Sequence, residues 1–301
     1  MKPSSVHYFA DAKDLARSLA RELGVVARPI TVHAFPDRES RVRVVPDSGR
    51  SAVLIRRLDD PNPKLFELLL AIDALRRNRV RRIALVAPYL PYMRQDRSFE
   101  AGESVSQRVI AELLGGRVDR LVTLEPHLHR IHDLAEVFAC PSIAVPAAPL
   151  LADWCRRGGA RTLIVGPDEE SAPWTRAIAD RAGLPFVVGR KRRAGDRRVR
   201  VSLPELPAVD RAVLIDDIAS TGETLAAAAR ELARAGIRRI DAAVVHAIFA
   251  KGAASTLRRA GVLRIVSCDT VVHPSNGIAT AKALAAAIRA PASRGRLRTG
   301  R

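Results

Sequence analysis

Two adjacent carboxylates, Asp216 and Asp217, follow the apolar run 212–215 and precede a small-residue segment, Ile218-Ala219-Ser220-Thr221-Gly222-Glu223-Thr224. The hydroxyls of Ser220, Thr221 and Thr224 and the backbone N–H groups at the start of the helix expected from 224 can receive a phosphate. Gly222 lets the backbone approach such a ligand closely. Carboxylates repel phosphate but accept hydrogen bonds from vicinal sugar hydroxyls, so the pair and the loop together suit a sugar phosphate. Read for structure alone, the same stretch is a strand followed by a hydroxyl-capped helix.

Other reactive side chains also follow apolar runs. Glu125-Pro126-His127-Leu128-His129, with His132 nearby, follows 121–124, and Asp168 closes Gly166-Pro167-Asp168 after 163–165. Arg190-Lys191-Arg192-Arg193 follows 186–188, and Arg94-Gln95-Asp96-Arg97 ends a Pro-Tyr segment after 83–87. Guanidinium and ammonium groups match phosphate oxygens, and a glutamine amide can read the edge of a base. The plain alternatives are hydrogen-bonded surface histidines, a solvated basic turn and, for Phe35-Pro36-Asp37-Arg38-Glu39, a polar hairpin turn.

These residues need strands that end where they begin. Strands are expected at 53–55, 83–87, 121–124, 163–165, 186–188, 212–215, 242–247 and 264–267, and helices at 65–76, 104–114 (capped by Ser104), 171–182, 224–235 and 278–289. Strand-then-helix alternation of apolar runs predicts parallel sheets covered on both faces. The Pro-rich stretch 141–149 separates two similar halves, giving domains at 1–145 and 146–277, then a C-terminal helix and frayed basic tail at 278–301. In open α/β sheets ligands bind beyond the carboxyl ends of the strands, where all of these groups fall.

The segment 212–224 resembles the ribose-phosphate loop of the phosphoribosyltransferase superfamily. Pro88-Tyr89-Leu90-Pro91-Tyr92-Met93-Arg94-Gln95-Asp96-Arg97 is similar to the PYxxYxRQDR signature of ribose-phosphate diphosphokinases, which ordinary phosphoribosyltransferases do not carry. Phe35-Pro36-Asp37-Arg38-Glu39 is similar to that family's F-x-D-G-E loop, with Arg38 where glycine usually stands. The motifs keep family order from about residue 35 to about residue 275. The resemblance implies two phosphoribosyltransferase-type α/β domains, each a mainly parallel sheet flanked by helices, with the active site between them. It implies transfer of diphosphate from ATP to ribose 5-phosphate, a step in nucleotide biosynthesis. ATP falls to Arg94, Gln95 and the loop of Phe35, Asp37, Arg38 and Glu39, and ribose 5-phosphate to Arg193, Asp216, Asp217, Ser220, Thr221, Gly222, Glu223 and Thr224. Magnesium, as Mg2+, falls to His127 and Asp168, and catalysis to Lys191 and Arg193. In the family the 35–39 loop reaches a neighbouring subunit's ATP, so a homo-oligomer with its active site near a subunit interface is expected.

Bulk composition bounds the alternatives. The chain has 301 residues, 48% hydrophobic and 27% charged, which is enough for a core in each of two domains. Its net charge of +18 comes almost entirely from arginine and favours polyanions such as nucleotides and sugar phosphates. With aromatics at 4%, a base-stacking surface for nucleic acid is not expected. Cys140, Cys155 and Cys268 form no CxxC pair, and no secretion signal or membrane span is read from the chain, so a reducing cytoplasm is expected. A phosphoribosyltransferase that consumes the activated sugar and a non-catalytic regulatory relative remain the alternatives. The first lacks the Arg94–Arg97 signature, and the second loses the lysine loop or metal residues that are present here.

Overall fold

A computed structural model describes residues 1–46, 48–159, 161–194 and 198–291. Most of the expected basic tail therefore lies outside the described residues. The chain divides into two compact units, Met1–Val145 together with Thr280–Arg301, and Pro146–Ala279.

In the first unit, β1 (Ser5–Tyr8), α1 (Lys13–Leu23), β2 (Val26–Pro29), β3 (Thr31–Ala34), β4 (Ser40–Arg43), β5 (Ser51–Ile55), α2 (Pro61–Arg77), β6 (Arg82–Val86), α3 (Ser106–Gly115), β7 (Arg120–Leu124) and β8 (Ser142–Val145) follow one another. Six strands form a sheet in the order β2-β1-β5-β6-β7-β8, every pair parallel, and β3 and β4 form a separate antiparallel ribbon. The central strands are apolar throughout because both faces are covered, and Ala52–Ile55, Ile83–Val86 and Leu121, Val122 and Leu124 are buried completely.

The second unit contains α4 (Ala148–Arg156), β9 (Thr162–Gly166), α5 (Ala172–Ala182), β10 (Phe186–Val188), β11 (Arg190–Ala194), β12 (Arg198–Ser202), β13 (Arg211–Ala219), α6 (Glu223–Arg234), β14 (Arg239–Ala247), α7 (Ala253–Arg259), β15 (Val262–Cys268) and β16 (Asn276–Ile278). Its sheet runs β10-β9-β13-β14-β15-β16, again all parallel, with β11 and β12 as an antiparallel ribbon. Two mainly parallel sheets flanked by helices are thus the architecture the sequence predicts.

The last helix, α8 (Ala281–Arg289), returns to the first unit. Buried Arg120 donates to the carbonyls of Ile288 at 2.8 Å and Ala290 at 2.9 Å. A guanidinium there satisfies orphan carbonyls and the negative end of the helix dipole.

Most expected elements shift by a few residues at their ends, and three shifts have a clear cause. Strand β13 has nine residues rather than four, because its pairing with β14 continues to Ala219 opposite Ala247. Helix α3 starts at Ser106 without a side-chain cap; the Gln107 backbone N–H instead donates to the Gln95 backbone carbonyl at 3.2 Å, and Ser106 Oγ donates to the Tyr92 carbonyl at 3.3 Å. Helix α8 starts at Ala281 because 276–278 is spent as strand β16 beside β15.

Candidate active site

In the second unit, the extension of β13 places Asp216 and Asp217 on the strand itself, with Asp216 opposite Val244. Both are half-buried. Burial pushes the Asp216 carboxyl well above the usual carboxylate range. The negative charge of Asp217, a hydrogen bond to it and the charge of Asp168 add to the shift. Asp217 Oδ1 accepts the Ile218 N–H at 2.8 Å, which fixes its rotamer. The pair therefore concentrates acceptor capacity at the end of a rigid strand, where sugar hydroxyls can donate.

Beyond it the chain turns at Gly222, whose φ of +74° suits glycine, and α6 begins at Glu223. Gly222 is the N-cap and no side chain caps the helix, so the first-turn amides are open to an anion. The Ser220 carbonyl accepts the Ala250 N–H at 3.0 Å, which ties the loop to the segment after β14. Ser220 and Thr224 are half-buried, whereas Thr221 and Glu223 are exposed.

Asp168 follows β9 in extended conformation, and its carbonyl accepts the Ser171 N–H at 3.1 Å. Its carboxylate lies 3.4 Å from Lys191 Nζ on β11. The carboxylate expected for metal and the lysine expected for catalysis are thus brought together within one unit. Arg193 lies on β11 opposite Val199; its side chain is outside the described residues.

Gly189, which the sequence reading does not single out, sets this geometry. Its N–H reaches the Gly166 carbonyl at 2.8 Å, and a Cβ would stand 2.7 Å from the Pro167 carbonyl oxygen and 2.8 Å from Val201 Cγ1. Only glycine lets the base of the ribbon press against the Asp168 turn. The one available signal is a glycine between an apolar strand and a basic run.

In the first unit, 35–39 forms the tip of the β3–β4 ribbon. The Phe35 N–H reaches the Glu39 carbonyl at 2.8 Å, and the Glu39 N–H reaches Asp37 Oδ1 at 3.1 Å. Asp37 therefore already serves the turn. Arg38 holds φ +73°, the conformation that explains why glycine suits this position. Phe35 is 38% exposed, with the His33 ring edge-on at 4.8 Å and the Arg41 guanidinium 5.9 Å from its centroid.

The 94–103 loop is organised by Glu103, whose carboxylate accepts the amides of Phe99 at 2.7 Å and Glu100 at 3.2 Å and lies 3.5 Å from Gln95 Nε2. Arg94 points to solvent. The Asp96 side chain is nearly inaccessible and forms an ion pair with Arg130, which links this loop to the one after β7 that carries His127. His127 is half-buried and meets His129 edge-on at 4.6 Å, while His129 and His132 are exposed. Tyr92 and Glu125, which flank these two loops, both have positive φ, at 63° and 35°. Non-glycine residues so placed cluster at functional sites.

Among the described residues no three His, Cys, Asp or Glu side chains converge on a metal position. Magnesium held mainly by nucleotide phosphates and water needs only one or two carboxylates from the protein, and Asp168 fits that mode.

Parallel sheets with an uncapped, glycine-led helix after a carboxylate pair define the phosphoribosyltransferase class, and the phosphoribosyl transferase domain model matches residues 136–282. The model for the N-terminal domain of ribose phosphate pyrophosphokinase matches residues 6–116. A ribose-phosphate pyrophosphokinase of Methanopyrus kandleri is 33% identical over 278 residues, covering 91% of this chain and 94% of its own. Ribose-phosphate pyrophosphokinase 2 of Archaeoglobus fulgidus is 33% identical over 90% of this chain and 95% of its own. The crystal structure of phosphoribosylpyrophosphate synthetase from Mycobacterium smegmatis superposes with a TM-score of 0.79 at 26% identity, covering 95% of this chain and 98% of that one. The chain belongs to the ribose-phosphate pyrophosphokinase family.

Proposed function

We propose that the chain transfers diphosphate from ATP to the 1-hydroxyl of ribose 5-phosphate, giving 5-phosphoribosyl diphosphate and AMP. The observation that carries this reading is the uncapped, glycine-led start of α6 after the Asp216–Asp217 pair, together with a basic ribbon that sets Lys191 beside Asp168. Family membership, with a relative that covers 91% of the chain, supports it.

The first-turn amides and hydroxyls of 220–224 receive the 5-phosphate. Asp216 and Asp217 accept from the ribose hydroxyls and orient the sugar. Arg94 and Gln95 meet ATP, with Phe35, Asp37, Arg38 and Glu39 at the adenine. The sugar oxygen bonds to the β-phosphorus, the bond from that phosphorus to the AMP oxygen breaks, and the hydroxyl proton is released. Lys191 and Arg193 stabilise the charge that develops on the phosphoryl oxygens, and Arg193 also holds the ribose 5-phosphate. Asp168 and His127 would hold magnesium, which supplies charge neutralisation on the nucleotide phosphates. Gly189 keeps the ribbon against the Asp168 turn and so positions Lys191. The 35–39 tip serves the ATP of a neighbouring copy in a homo-oligomer, and the cytoplasm supplies both substrates. No described helix is long and apolar enough to cross a membrane.

Purified protein given Mg-ATP and ribose 5-phosphate tests this. AMP and phosphoribosyl diphosphate should appear in equal amounts and only when the sugar phosphate is present. ADP in place of AMP would mean transfer of a single phosphoryl group and would overturn the reading.

A further inference from the structure

The high positive charge is not absorbed by the proposed substrate site, and part of it is concentrated at one place. A cleft of about 630 Å³ in the second unit is lined by Arg190, Arg200, Arg230 and Arg234, with Glu231 the one carboxylate among the described lining and Val201 and Ala227 as its apolar part. Its volume is typical of small-molecule sites.

Both walls are regular. Ala227, Arg230, Glu231 and Arg234 fall at i, i+3, i+4 and i+7 along α6, so they form one stripe of the helix. Opposite them stands the β11–β12 ribbon, where Arg190 pairs with Ser202 and Lys191 with Val201. Side chains alternate across a ribbon, so Arg190, Arg200 and Ser202 share one face and Lys191, which reaches Asp168, projects from the other. Val201, paired with Lys191, lies on the Lys191 face, so three of the four ribbon residues that line the cleft, Arg190, Arg200 and Ser202, face away from Lys191.

The charges are poorly compensated from within. Glu231 pairs with Arg234, and Arg190 lies 3.9 Å from Glu169. Among the described residues Arg200 and Arg230 have no carboxylate partner. Like charges gathered in one cleft repel, and a bound anion removes that repulsion. Arg230 and Arg234 stand one helical turn apart, and the ribbon arginines face them across the cleft, so one tetrahedral anion does not span the set.

We propose that this cleft binds a small polyanion with at least two linked phosphoryl groups, bridging α6 to the back of the ribbon that carries Lys191. Guanidinium forks suit such groups, and the ligand would hold the ribbon in place.

The test uses the full chain with ribose 5-phosphate at saturation, so that the 220–224 loop is occupied, and inorganic triphosphate as the probe. Hydrogen exchange should slow, saturably and in a salt-sensitive way, in β12 and in α6. R230A/R234A removes two exposed guanidinium groups outside the substrate machinery, so fold and basal activity should be kept. Its affinity for the probe should fall at least about tenfold, since each charge-assisted hydrogen bond is worth roughly a decade. R258A/R259A on α7 lowers the net charge equally and should bind as the parent does. Absent protection, unchanged affinity in R230A/R234A, or an equal loss in R258A/R259A would each overturn the proposal. So would tighter capture of single-stranded RNA through the same arginines, which would make the cleft a nucleic-acid contact.

Discussion

Arg211 begins β13, at the end of the strand opposite Asp216 and Asp217, and its replacement by methionine offers a quantitative test of how the site is held. Arg211 Nε lies 2.7 Å from Asp241 Oδ2, and both side chains are nearly inaccessible, at 4% and 3% exposure. The guanidinium also donates to the Cys155 carbonyl at 3.3 Å and stacks 4.8 Å from the Trp154 ring. Arg211→Met keeps much of the packing but leaves Asp241 buried without its main partner, a loss of about 3–5 kcal/mol. Arg239 Nε, half-exposed at 3.9 Å from the same oxygen, can compensate partly and moves the expectation toward about 3 kcal/mol. For a unit of this size that corresponds to a melting point lower by roughly 10 °C. Both tryptophans, Trp154 and Trp174, belong to the second unit, so fluorescence in urea reports its unfolding alone. Asp241→Leu in the same chain should restore most of the loss, because an apolar pair replaces a buried ion pair at little cost. Turnover of folded Arg211→Met should match the parent, because five residues of strand, about 16 Å, separate the change from the carboxylates. A loss under about 1 kcal/mol, or no recovery in the double variant, would refute the view that this pair anchors β13.

Lys191→Ala should lower kcat by about a hundred- to thousandfold with an unchanged circular dichroism spectrum, and a loss under tenfold in steady-state kinetics would remove Lys191 from the mechanism. Gly189→Ala forces a methyl against the Pro167 carbonyl, so stability should fall by about 1–3 kcal/mol in the urea titration and turnover should fall with it. His7 is completely buried, and burial, followed by the charge of Arg28, lowers its pKa to about 4. The imidazole is neutral in the fold and protonates in the unfolded chain below pH 6.5, so its contribution is complete above that value and is lost as pH falls from 6.5 to about 4. The loss amounts to about 3 kcal/mol, and His7→Gln should flatten that limb of a stability-against-pH curve, whereas parallel curves would contradict it.

Much of this is legible in the sequence because parallel strands buried on both faces write themselves as unbroken apolar runs, and the loops after them carry the reactive residues. The 212–224 segment shows its resemblance to a ribose-phosphate loop for that reason. What escapes are features set by pairing across the fold. Nothing local says that β13 continues through two aspartates; its partner β14 decides that. The ribbon β11–β12 reads as a basic loop, because its arginines alternate around a face that only pairing with 198–202 defines. Weakly apolar strands such as Val26–Pro29 and Asn276–Ile278 sit at sheet edges, where half of the burial signal is missing. Asp96 looks like one charge among several until the fold buries its side chain against Arg130.

The most direct measurement follows an oxygen atom. Ribose 5-phosphate carrying 18O in its 1-hydroxyl, incubated briefly with the protein and Mg-ATP and read by 31P NMR, should give AMP without label and a sugar diphosphate whose inner phosphorus bears the isotope shift. Loss of the label from that bridge, or growth of ADP in place of AMP, would contradict attack of the sugar oxygen on the β-phosphorus.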